Sequence, residues 1–179
     1  MADFCYCSTT NAGGNKRTVR LKFLRKQLLY DIENDAYIEA DVMGEEKQHA
    51  QHVLADIGED GNVDRVSRVL STAHATVTEL LYPMTRQLPV EEEIDDCLHA
   101  PEEYVVELNV EPDVSRTTLH LLSKLIHDYM VCMVLADWLS TTNPDAAATW
   151  AEKAETKKKE ILGARNNHKA TFTRKTHPW

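Results

Sequence analysis

The residues from Ser115 to about Ala164 leave this chain few ways to fold. Leu119, Leu122, Ile126, Tyr129, Met133 and Ala136 recur at three- and four-residue spacing, the pattern of a helix with a buried stripe. Leu121, Leu125, Cys132, Leu135 and Leu139 form a second stripe on the same helix. Two apolar seams must be covered on two sides, so this helix belongs at the centre of the domain. Asp113 or Ser115 can cap its start. Thr142-Asn143-Pro144-Asp145 then turns the chain: Asn143 caps, Pro144 takes the first helical position and Asp145 favours the helix dipole. The next helix carries only Ala147, Trp150, Ala154 and Ile161 on its inner face. It therefore leans on the central helix from outside, with Trp138 and Trp150 as the large contacts.

Upstream, Ser8 to Asn15 is a run of loop-forming residues, so the chain starts as an arm. Val19, Leu21 and Phe23 alternate with Arg20 and Lys22, as a strand would. Leu24, Leu28, Ile32, Ala36 and Ala40 repeat every four residues, and this longer pattern predicts a helix over 20–43 that stops at Gly44. A short helix is expected over 45–57, broken by Gly58-Glu59-Asp60-Gly61. Gly61 or Asn62 can cap a helix reaching Tyr82, with Val63, Val66, Leu70, Ala73, Val77, Leu80 and Leu81 as its stripe. Pro83 ends it. The acidic residues 90–99 read as a loop. Tyr104, Val106, Leu108 and Val110 then alternate strictly, which predicts a strand. Its expected partner is Gln87 to Val90, the Cys5-Tyr6-Cys7 arm or a neighbouring subunit. The fold class is mainly α: a helical bundle of about four to five helices with a small β element near 104–110 and extended termini. The expected organisation is a flexible arm over 1–17, one helical domain over 18–164 and a basic tail over 165–179.

With 179 residues the chain can bury one full core. No apolar run reaches the roughly 20 residues of a bilayer span, so no membrane partner is expected. No basic segment followed by an apolar core opens the sequence, so no signal peptide is expected. Four cysteines (Cys5, Cys7, Cys97, Cys132) make a poor disulfide framework at this length, which fits a reducing cytoplasm. The net charge of -9 divides unevenly: +5 over 1–30, -17 over 31–112, -2 over 113–151 and +5 over 152–179. An acidic middle between basic ends suits head-to-tail attraction between copies; solvated acidic helices and a loose tail are the plainer alternative.

Motifs for chemistry are few. Glu46, His49 and His52 share a helix face, yet a di-iron bundle needs a second Glu-x-x-His and two further carboxylates, and the nearest echo is Asp96 to His99. His120, Lys124 and His127 lie on one face of the central helix beside Asp128, which suits a polar site or a subunit contact. Cys5 and Cys7 are spaced too closely for a zinc half-site. Gly13-Gly14 lacks the Gly-Lys-Ser/Thr of a phosphate loop, and no Gly-x-Ser-x-Gly elbow occurs. No cofactor and no enzyme activity are expected from these residues. Lys157-Lys158-Lys159 and the basic tail can touch nucleic-acid phosphates, but the overall acidity argues against a dedicated DNA binder. In the tail, Phe172 and Trp179 read as apolar anchors for a partner's pocket, with Arg174, Lys175 and His177 steering the approach and Pro178 beside the last anchor.

The run Leu122 to Trp138, the Thr-Asn-Pro-Asp turn, Trp150-Ala151-Glu152-Lys153-Ala154-Glu155 and the ending Arg174 to Trp179 resemble small structural proteins of phages and prophages of Bacteroides-type bacteria. The likeness covers residues 62–179 and is weakest over 1–60. It implies a non-enzymatic virion protein, a head–tail connector or adaptor subunit that assembles as a ring between portal and tail. Its implied partners are copies of itself and the portal and tail proteins, with DNA passing nearby without specific binding. Its implied place is the neck or tail region of the virion, after synthesis in the host cytoplasm. A tail-completion or baseplate-type component is the near alternative. A small helical metal-binding protein or enzyme using Glu46, His49 and His52 is the alternative of another class.

Overall fold

The computed structural model describes residues 16–42, 52, 56–87 and 100–166. Within them, four α-helices surround a core that one face of a two-stranded antiparallel sheet closes. In chain order they are β1 (Arg17–Leu24), α1 (Arg25–Val42), a single 3-10 turn (Asp56–Gly58), α2 (Asp60–Leu80), β2 (Glu103–Val110), α3 (Arg116–Leu139) and α4 (Pro144–Asn166). The fold is thus mainly helical with a small β element, as the patterning predicts.

The first correction falls on residues 20–24, expected to open a helix and found in β1. They form a strand and not the start of a helix, because the alternation of Val19, Leu21 and Phe23 matches that of Val106, Leu108 and Tyr104 across the sheet. Leu21 sits opposite Val106 and Val19 opposite Leu108, and all four side chains are buried. β1 is therefore the partner of β2, in place of Gln87 to Val90, the cysteine arm or another subunit. On the outer face Arg20 Nε lies 2.7 Å from Glu107 and Lys22 Nζ 2.8 Å from Glu103. Both pairs are solvated, so they favour the register more than they stabilise the fold. The Asn109 amide donates to the Met84 carbonyl at 2.7 Å, so the edge of β2 away from β1 is partly covered. No described residue pairs with the other edge of β1.

α3 is the pillar. It packs against α4, α2 and α1, and it buries Leu122, Leu125, Ile126, Met130, Val134 and Leu135 among others. Both predicted seams are present, except that Leu121 is 51% exposed and Met133 and Ala136 are only half-buried. By length and composition α3 is also apolar enough to cross a bilayer, which a count of uninterrupted apolar residues does not reveal. Of its most apolar window, 61% is buried inside the fold.

The capping expectations divide. Asn143 Oδ1 accepts from the Ala146 amide at 3.4 Å, with Pro144 opening α4. Ser115 occupies the N-cap of α3 without a side-chain bond. α2 starts two or three residues earlier than predicted, with Glu59 at its N-cap, while Asn62 Nδ2 donates instead to the Asp56 carbonyl at 2.8 Å. α4 runs through Gly163 to Asn166, past the loss of apolar period at that glycine. Of the helix expected over 45–57, residues 45–51 and 53–55 lie outside the described set, and its end is the 3-10 turn.

Candidate functional site

The densest polar cluster follows from one habit of α1. Asp31, Asp35 and Glu39 recur every four residues, each one position before a buried residue of the core stripe, Ile32, Ala36 or Ala40. A carboxylate so placed sits at the margin of the packed face, where α1 meets α3 and α4. There His127 Nε2 lies 2.7 Å from Asp31, and Lys157 Nζ lies 3.1 Å from Asp128. Trp150 Nε1 donates to Glu39 at 2.8 Å, and the Lys153 ammonium stands 3.6 Å from the Trp150 ring centroid. Asp31, His127, Asp128, Trp150, Lys153 and Lys157 line a groove of about 310 Å³ together with Val131 and Cys132.

The electrostatics follow the geometry. Burial pushes the Asp35 carboxyl above its ordinary value of 3.8; Lys153 opposes the shift and Asp31, Glu39 and Asp128 reinforce it. The hydrogen bond to Asp128 holds the Lys157 ammonium above its ordinary range. Burial pushes the Cys132 thiol up to about 11, so at neutral pH it is a thiol and not a nucleophilic thiolate. His127 and Asp31 have the spacing of a base and its orienting carboxylate, but the one sulfur in the groove is inactive by this reasoning. The contacts among these groups tie α1 to α3 and α4.

A pH-dependent prediction arises here. A carboxyl whose folded pKa lies above its unfolded one contributes stability in acid that is lost as pH rises through the folded value. Asp35→Asn, neutral at every pH and nearly the same shape, should therefore raise the melting temperature at neutral pH. The gain should vanish below the ordinary value of 3.8. Thermal denaturation monitored by circular dichroism across that range checks it.

Of the sequence-predicted polar residues, His127 and Asp128 line this groove, whereas His120 and Lys124 are exposed and do not. The face they share on the helix is not one site. His52 is exposed, and Glu46 and His49 lie outside the described residues, as do Cys5, Cys7, Cys97 and the tail residues Phe172, Arg174, Lys175, His177, Pro178 and Trp179. Among the described residues no three His, Cys, Asp or Glu side chains converge to hold a metal ion. Asp31, Asp35, Glu39 and Lys153 escaped the sequence reading, and Lys157 entered it only within a lysine run; the four-residue repeat of acids on α1 is a signal for the three carboxylates, and none marks the lysines.

A second clamp joins α2 to α3. Arg65 donates to Asp137 Oδ2 from Nη2 at 2.8 Å and from Nε at 3.1 Å, with its guanidinium 5.4 Å from the Trp138 ring centroid. On α2, His74 Nε2 lies 3.0 Å from the Val105 carbonyl and ties the helix to β2. Fold and groove define a class: a mainly α protein whose described polar clusters tie helix to helix and helix to sheet. Comparison with known protein families, with characterised proteins and with solved structures found no match.

Proposed function

We propose that this protein is a non-enzymatic assembly subunit, and that its setting is the one the resemblance implies: a head–tail connector or adaptor of a phage virion, built as a ring of copies between portal and tail. The observation that carries the assembly reading is where the large apolar side chains are left in solvent. Of seven such side chains among the described residues, Leu24, Tyr30, Tyr37, Ile38 and Val42 are 52–78% exposed and fall on α1 or on the residue before it, while Tyr82 and Leu121 stand elsewhere. Apolar surface gathered on one element marks an interaction site more often than scattered exposure does.

Two further features support the reading. β1 offers an edge that no described residue pairs. Charge of opposite sign on the middle and ends of the chain provides two different patches, the kind of heterologous contact from which rings are made. Multi-angle light scattering over a range of protein concentrations tests this. A mass that rises above one chain and settles at a fixed multiple is expected; a single-chain mass at every concentration overturns the proposal.

A further inference from the structure

Beside the apolar side chains of α1 lies a second groove, and its chemistry specifies an occupant. Tyr30, Glu33, Asn34 and Tyr37 of α1 face Asp56, Gly58 and Glu59 across a cleft of about 480 Å³. The two tyrosines are 64% and 63% exposed. Gly58 permits the close approach: a Cβ there would stand 2.5 Å from Glu33 Oε1. Among the described residues, three carboxylates and two aromatic rings line the cleft, and no lysine or arginine does. Such a surface seats cations over ring faces and beside carboxylates, with aromatic side chains packed against the rings.

Residues 167–179 have the complementary chemistry. They carry Lys169, Arg174 and Lys175 and no acid, interleaved with Phe172 and Trp179. Three positive charges meet three negative ones, and aromatic residues meet aromatic residues.

Geometry decides whose segment this is. Arg165 Nη1 donates to the Leu80 and Tyr82 carbonyls at 2.6 and 3.2 Å, fixing the end of α4 at the C-terminal end of α2. The groove lies at the opposite end, where Gly58 and Glu59 immediately precede α2. The 21 residues of α2 separate the two ends by about 30 Å at 1.5 Å per residue. Phe172 and Arg174 are six and eight residues past Asn166, which at about 3.5 Å per fully extended residue gives reaches of about 21 and 28 Å. Neither spans α2. Lys175 and Trp179, nine and thirteen residues past Asn166, have reaches of about 32 and 46 Å, so a chain's own tail brings only its last residues to the groove, whereas a neighbour's can seat Phe172 and Arg174 as well. We propose that the Tyr30–Tyr37 groove binds the 167–179 segment of a second copy of this chain. The inference rests on the assembly reading and names its contact. One copy gives its segment and receives its neighbour's, a head-to-tail contact that closes into a ring or runs on as a filament according to its rotation angle.

A charge swap in the full-length chain tests it, with mass read by light scattering and folding by circular dichroism. Arg174→Glu with Lys175→Glu should lower self-association, as should Glu33→Lys with Glu59→Lys. Combining all four substitutions in one chain should restore it, because the complementarity is inverted and not lost. A labelled synthetic peptide of residues 167–179 should bind the full-length chain, and Tyr30→Ala with Tyr37→Ala should weaken that binding by about tenfold or more, the scale expected when aromatic anchors are removed. If the chain assembles but neither pair of charge reversals alters its mass, the groove inference is wrong and the assembly reading stands. If the peptide binds a chain that stays single at every concentration, both fail.

Discussion

Replacing Ile126 with alanine is expected to cost about 2–5 kcal/mol of folding stability, the range for emptying a fully packed aliphatic site. Ile126 is 0% exposed at the middle of α3, the helix against which α1, α2 and α4 all pack. A cavity there is walled by several elements, so no single one can move in to close it. Native domains are held by only about 5–15 kcal/mol, so one such loss is a large share of the whole. Met133→Ala is the contrast on the same helix. Its place in the same seam as Ile126 makes it look as costly from sequence, but Met133 is half-buried, so its loss should be clearly smaller. Leu121, at 51% exposed, should change stability by about 0.5 kcal/mol or less when cut to alanine. Urea denaturation of the three variants measures the order Ile126, Met133, Leu121; equal losses at Ile126 and Leu121 would mean that α3 is not central.

Trp150→Ala should cost about 3–5 kcal/mol for a different reason. Trp150 is the largest side chain with which α4 meets the rest of the fold; it is 9% exposed, lies beneath Lys153 and donates to Glu39. Its removal leaves a hole between α4 and α3 and a carboxylate without its donor. Trp150→Phe separates the two losses: most of the packing stays, and the missing hydrogen bond should cost about 1–2 kcal/mol. A double-mutant cycle with Glu39→Gln isolates the part due to the pair. If Trp150→Phe is as damaging as Trp150→Ala, the link to Glu39 on α1 and not the packing is what matters there.

How much was legible in the sequence varied with how local the cause was. The pillar, the Asn-Pro turn and the inner face of α4 depend on spacing within one helix, so Ile126, Asn143 and Trp150 were all readable. Residues 19–24 were not, because two periods overlap there and only pairing with Tyr104 to Val110 decides between them. The polar groove was half legible. The repeat Asp31, Asp35, Glu39 stands in plain view, but its meaning depends on His127, Lys153 and Lys157 arriving from two other helices. The apolarity of α3 was understated for a simpler reason: Ser123-Lys124 and His127-Asp128 interrupt the run without lowering its average enough.

Sedimentation velocity on the Tyr30→Ser/Tyr37→Ser variant beside the unaltered chain tests the central claim most directly, because both side chains are more than half exposed and folding does not depend on them. The account predicts an unaltered chain that sediments as a multiple of one subunit and a variant shifted toward the single subunit, with the same helix content. A variant that assembles as fully as the unaltered chain would contradict the claim that copies meet through the outward face of α1.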